Sequence, residues 1–141
     1  MAYIIAILMA GLSFLLNRLF LRYLGPVSII SAGPVVEEAA KTLFAYYMGA
    51  DLITVHTVFG VIEAGYDWLQ RSTSGGITAS FLSIVGHSLF GAGSAGVLIL
   101  TSSLWLGLAA GIALHLAYNV AVVRLLANKT ANNSGKRGDN P

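Results

Sequence analysis

Five apolar runs, roughly 2–21, 29–49, 52–70, 78–100 and 103–125, take up most of the chain. Each meets the roughly 17–25 residues that a helix needs to cross a bilayer. None alternates polar and apolar residues as a barrel strand does, so the runs are read as helices, whose backbone groups are satisfied within the segment. Charged residues make up 10% and hydrophobic residues 56%, against about 25% charged in a soluble domain. The expected fold is all-α: a polytopic membrane bundle of about five transmembrane helices over residues 1–126, followed by a disordered polar tail over 127–141. The first run starts at residue 2 with no basic segment before it, which reads against a cleaved signal peptide. Cysteine is absent, which excludes disulfides and thiolate metal sites.

Turn signals separate the runs at Gly25-Pro26, Gly49-Ala50-Asp51, Ser72 to Gly76, and Thr101-Ser102-Ser103. Arg18 and Arg22 end the first run, Arg71 ends the third, and Arg124, Lys129, Lys136 and Arg137 follow the fifth. The connections near 50 and 102 hold no Lys or Arg. The positive-inside rule then predicts a multi-pass protein of the cell membrane, with the N-terminus outside and the C-terminus cytoplasmic. The same distribution assigns the basic residues to topology, and no nucleic-acid partner is expected.

Lys41 breaks this pattern, because it lies inside a run together with Glu37 and Glu38. Each such charge at a helix centre costs about 2.5–3.5 kcal/mol on insertion scales, so it is kept only where it faces protein or trapped water. Glu37 and Lys41 are four apart and share a helix face. Pro34 either starts a helix, whose first turn would favour carboxylates, or kinks a longer one. Measured from the cytoplasmic end of its own run, Glu37 and Glu38 lie at ~12–14 Å, Glu63 at ~11 Å, His87 at ~13 Å and His115 at ~14 Å. Four helices thus carry an acid or an imidazole at nearly one level. Asn119 follows His115 by four residues and shares its face.

Other polar and aromatic residues have simpler readings. A buried Glu/Lys pair alone can be a clamp between helices. His56 lies near the outer end of its run and reads as a packing residue. Asp67 lies near the inner boundary and reads as solvated. Trp68 and Trp105 read as interfacial anchors. The small-residue pairs Gly60/Ala64, Ala92/Gly96 and Gly107/Gly111 read as close-packing positions.

Glu37-Glu38-x-x-Lys41 resembles the first motif of the PrsW family of intramembrane proteases, and Phe59-Gly60-x-x-Glu63 its second. His87 followed by small residues, and His115-x-x-x-Asn119, are similar to its third and fourth. The wider superfamily includes the CAAX-prenyl endopeptidases and bacterial Abi proteins (the CPBP group). The resemblance spans residues 33–119. It implies a peptide hydrolase in which Glu37 or Glu38 is the general base that activates water. It further implies that His87 binds that water or a metal, that His115 and Asn119 hold the oxyanion, and that Lys41 neutralises the second glutamate.

The chemistry is consistent with those residue types. Amide hydrolysis needs a base and an electrophile near one water. Two histidines and a glutamate suit zinc with an open fourth position, which would make His87, His115 and Glu63 the ligands. A metal-free mechanism stays open beside it. The expected partners are membrane lipid and a membrane-anchored protein or peptide substrate, and a homo-oligomer is an open alternative to a monomer. Two other functions compete: an ion- or proton-coupled transporter, and a non-catalytic membrane scaffold. A relay should spread its polar groups over several depths, whereas here they concentrate in one layer.

Overall fold

The computed structural model describes residues 1–70 and 74–138. It contains five α-helices: α1 (Ala2–Leu24), α2 (Ala32–Tyr47), α3 (Leu52–Gln70), α4 (Ser74–Thr101) and α5 (Leu104–Gly138). A short 3-10 turn, Pro26–Ile30, joins α1 to α2. There is no strand among the described residues. Three helical stretches are long and apolar enough to cross a membrane: Ala2–Leu24, Gly76–Thr101 and Leu104–Leu125. The chain is therefore a membrane helical bundle.

The second run differs from its expected form. Proline 26 follows Gly25, whose φ of 72° turns the chain, and the helix proper begins only at Ala32. Pro34 then sits in the first turn of α2, where a missing N–H costs no helical hydrogen bond. Of the two readings of Pro34, the helix start is the one found. Glu37 and Glu38 lie past that first turn, so the helix N-terminus does not hold them. With 16 residues, α2 spans ~24 Å, less than the ~30 Å hydrocarbon core.

At the other end of α2, Gly49 adopts φ 64°, and Asp51 then caps α3. Its Oδ1 accepts from the Thr54 backbone N–H at 2.7 Å and from Thr54 Oγ1 at 2.6 Å. These two bonds hold the Asp51 carboxyl below its usual range. The fifth helix continues to Gly138, past Leu126 where the sequence reading ends the bundle; extending an existing helix carries no nucleation cost. Residues 139–141 of the expected tail, Arg71, and Ser72 and Thr73 of the expected turn lie outside the described residues, and the rest of that turn, Ser74 to Gly76, begins α4.

The helices close a ring in the order α1, α3, α4, α5, α2. The ring is apolar outside and polar within. Ile4, Ile7, Leu8, Leu69, Ile99 and Leu100 are exposed, while Glu38, Lys41, Thr42, His56 and Ser94 are all 0% exposed. A bilayer accounts for that inversion, because lipid, not water, meets the outer face. Toward the end holding Met1 and Leu52, the interior is an apolar core of Ile5, Ala6, Met9, Ala45, Val55 and Phe59. The charged layer lies next to it, and the opposite half holds a cavity.

Apolar helices gain little from burying apolar surface in lipid, so close backbone approach matters more. A Cβ at Gly60 would lie 3.0 Å from the Ser83 carbonyl oxygen and 3.2 Å from Ile84 Cα on α4. One at Gly107 would lie 2.8 Å from the Ser94 carbonyl oxygen. Gly96 faces open space, so the Ala92/Gly96 pair makes no tight contact there. Backbone atoms cannot rotate away as side chains do. Gly60→Ala should therefore separate α3 from α4 and cost about 1–3 kcal/mol of stability. Unfolding of that variant in detergent at the wild-type midpoint would refute the close-packing account.

Candidate active site

One cavity of about 1110 Å³ occupies the half of the bundle that carries Arg18 and Asp67, and Glu37, Glu63, His87, His115 and Asn119 all line it. Phe14 and Leu15 of α1, Tyr66 of α3, Leu82 and Phe90 of α4, and Tyr118 of α5 form its apolar and aromatic walls. Four residues predicted from a shared depth on four helices thus meet at one space. Glu38 and Lys41 are not among the lining residues; they lie behind it. Adjacent residues on a helix point about 100° apart, and α2 is turned so that Glu37 borders the cavity while Glu38 points into the packed interior.

Glu38 is the centre of the buried network. Its Oε1 accepts from Lys41 Nζ at 2.7 Å and from His115 Nδ1 at 3.0 Å. Its Oε2 lies 3.4 Å from His56 Nδ1, with no closer hydrogen-bond partner. The opposite face of His56 contacts Thr42, with Nε2 3.3 Å from its Oγ1. The sequence reading set His56 apart from the polar layer; the structure puts it against Glu38. Thr42 follows Glu38 by one turn toward the end of α2 that meets the start of α3, and His56 lies between the two.

The tautomers follow from the partners. Lys41 has donors only, so the 3.0 Å contact between its Nζ and His87 Nδ1 makes that nitrogen the acceptor. His87 Nε2 then carries the proton and donates to Glu63 Oε2 at 2.7 Å, which also accepts from Ser83 Oγ at 2.6 Å. His115 donates through Nδ1 to the Glu38 carboxylate, which leaves the lone pair on Nε2. The ring of His115 stacks on Phe90 with centroids 4.6 Å apart, and the His87 ring meets Phe59 and Phe90 edge-on. The Phe59 ring also receives the Lys41 ammonium at 4.2 Å.

Glu37 differs from its neighbour. One oxygen, Oε1, accepts from Asn17 Nδ2 of α1 at 2.6 Å. No other hydrogen bond to Glu37 is formed among the described residues, and its carboxylate borders the cavity. Asn17 was not found by sequence reasoning. It lies twenty residues before Glu37 and belongs to no motif; the available signal was an amide on α1 one residue before Arg18.

One ligand atom each from Glu37, His87 and His115 lie within 4.8 Å of one another. A carboxylate and two imidazoles form a donor set that zinc takes. Glu63, the third ligand expected from the sequence, instead backs His87. The donor types fit a metal, but the hydrogen bonds do not, because Lys41 and Glu63 already hold both His87 ring nitrogens. A metal could reach His87 only by displacing one of them. Asn119 lines the same cavity one turn from His115.

The chain matches no protein-family model, no curated protein and no solved structure.

Proposed function

We propose that this protein is an intramembrane peptide hydrolase in which Glu37 is the general base. The observation that carries this reading is the division of labour between the two glutamates: Glu37 faces the cavity, while Glu38 is closed in by Lys41, His56 and His115. A water held between Glu37 and His115 gives its proton to Glu37 as its oxygen attacks the amide carbon. The Asn119 amide N–H donates to the oxyanion. Glu37 then passes the proton to the leaving nitrogen as the C–N bond breaks. In its neutral tautomer His115 accepts from the water and cannot donate to an oxyanion, so it orients the nucleophile. Lys41 and Glu38, which do not line the cavity, fix the two imidazoles from behind, and Glu63 holds His87 from the cavity wall.

The apolar wall suits a membrane-anchored peptide with apolar side chains. Arg18 and Arg22 of α1 and Arg124 of α5 stand at the end of the bundle where the cavity lies. By the positive-inside rule this end is cytoplasmic and the N-terminus is outside. Both ring nitrogens of His87 are engaged, so we assign the reaction no metal.

The test is cleavage of a membrane-anchored peptide by the purified protein in liposomes, with metal analysis and a chelator arm. The expected result is proteolysis that survives chelation, with well under one metal ion per chain. Activity lost on chelation and restored by zinc would instead make Glu37, His87 and His115 metal ligands. A proton relay has one observation in its favour, since His56 and Thr42 extend the polar network beyond the cavity. Past them the core is apolar, with Ala45, Leu52 and Val55 buried. Proton flux through the same liposomes separates the two readings.

A further inference from the structure

We infer that Asn17 is a positioning residue for Glu37 and that Gly33 is what admits it. The inference rests on Glu37 being the base. A glutamate side chain turns about three bonds, and its last torsion is soft. Glu37 reaches from α2 to the wall of a cavity of about 1110 Å³ and is itself only 5% exposed. The one side-chain group that fixes it among the described residues is the Asn17 amide, which donates to Oε1 at 2.6 Å. That bond engages one oxygen and leaves the other for water. It also crosses between helices, so the position of the base is set by α1 as well as by its own backbone.

Gly33 completes the arrangement one turn before Glu37 on α2. A Cβ there would lie 2.8 Å from Asn17 Oδ1 and 3.2 Å from the Ser28 carbonyl oxygen. The Asn17 amide therefore fills the space above Gly33, with Nδ2 turned to Glu37 and Oδ1 against the glycine. On the other side, the 3-10 turn holds the Ser28 carbonyl in place, with Ser28 Oγ donating to Gly25 O at 2.7 Å. A methyl group at residue 33 cannot be met by moving that backbone, so the Asn17 side chain must move. The base then loses its donor although neither Asn17 nor Glu37 has changed. Neither Asn17 nor its fit against Gly33 follows from the sequence motifs.

The experiment is a cycle of Asn17→Ala, Gly33→Ala and the double variant in liposomes. It measures kcat and KM on the anchored peptide, with thermal unfolding on the same samples. A misplaced base costs rate and spares ground-state binding, so each single variant should lose about 10²-fold in kcat with KM within about twofold. Because Gly33→Ala acts by displacing Asn17, the double variant should be no slower than Asn17→Ala alone. Unchanged kcat in Asn17→Ala, or losses that multiply in the double variant, would overturn the inference. An activity-independent arm follows the carboxylate infrared band assigned by Glu37→Gln, which should shift in Asn17→Ala. A shifted band in a protein with no hydrolysis removes the hydrolase reading and keeps the Asn17–Glu37 contact. An unshifted band removes the contact itself.

Discussion

Glu37→Gln should lower peptide hydrolysis by at least ~10²–10⁴-fold, the loss typical of a missing general base, and leave the fold intact. Gln keeps the size of the side chain and an oxygen to accept from Asn17, but it cannot take a proton from water. Glu38→Gln, one residue along, should act by a different route. It removes the carboxylate that pairs with Lys41 at 2.7 Å, where both side chains are fully buried. Losing one partner of a buried pair typically costs about 3–5 kcal/mol. The adjacent variants should thus separate, one inactive and stable, the other unstable. Activity and thermal unfolding on the same preparations read both. Full activity in Glu37→Gln with loss only in Glu38→Gln would exchange their roles. Full activity in both would remove the hydrolase reading and favour the transporter and scaffold alternatives.

Lys41→Met should be as damaging to stability, again by about 3–5 kcal/mol, because it leaves the fully buried Glu38 carboxylate without its cation. Lys41 also donates to His87 Nδ1 and covers the Phe59 ring. The substitution therefore frees the His87 tautomer as well as the Glu38 charge. Replacing both members, as Glu38→Leu with Lys41→Met, should restore part of the stability and none of the activity, since it removes the unpaired charge but leaves Nδ1 of His115 and of His87 without partners. Chemical unfolding in detergent measures both. A Lys41→Met protein as stable as wild type would show that Glu38 holds no charge in the folded state.

Much of the site was visible in the sequence because a bilayer makes depth readable. Residues rise 1.5 Å each along a helix, so acids and imidazoles equally far from their span ends must meet at one level. That argument places Glu37, Glu63, His87 and His115 together without knowing how the helices are arranged, and all four line one cavity. It fails where a span end is misjudged. Residues 29–49 read as one helix, but Gly25 and Pro26 turn the chain and α2 starts at Ala32. Depth along the axis is also too coarse for His56, whose side chain lies against both Glu38 and Thr42, one turn apart on α2.

Composition and turn signals by themselves determined a helical membrane bundle, because every backbone polar group in lipid must be satisfied within its own segment. They also determined which residue types share a level. Only the tertiary structure decided which of two adjacent glutamates faces the cavity, since that depends on how α2 is rotated between α1 and α5. It also decided that Glu63 holds His87 from behind, and that Asn17 of α1 reaches the carboxylate of Glu37. These are directions around a helix axis, set by packing between helices, and a one-dimensional pattern of depths carries no record of them.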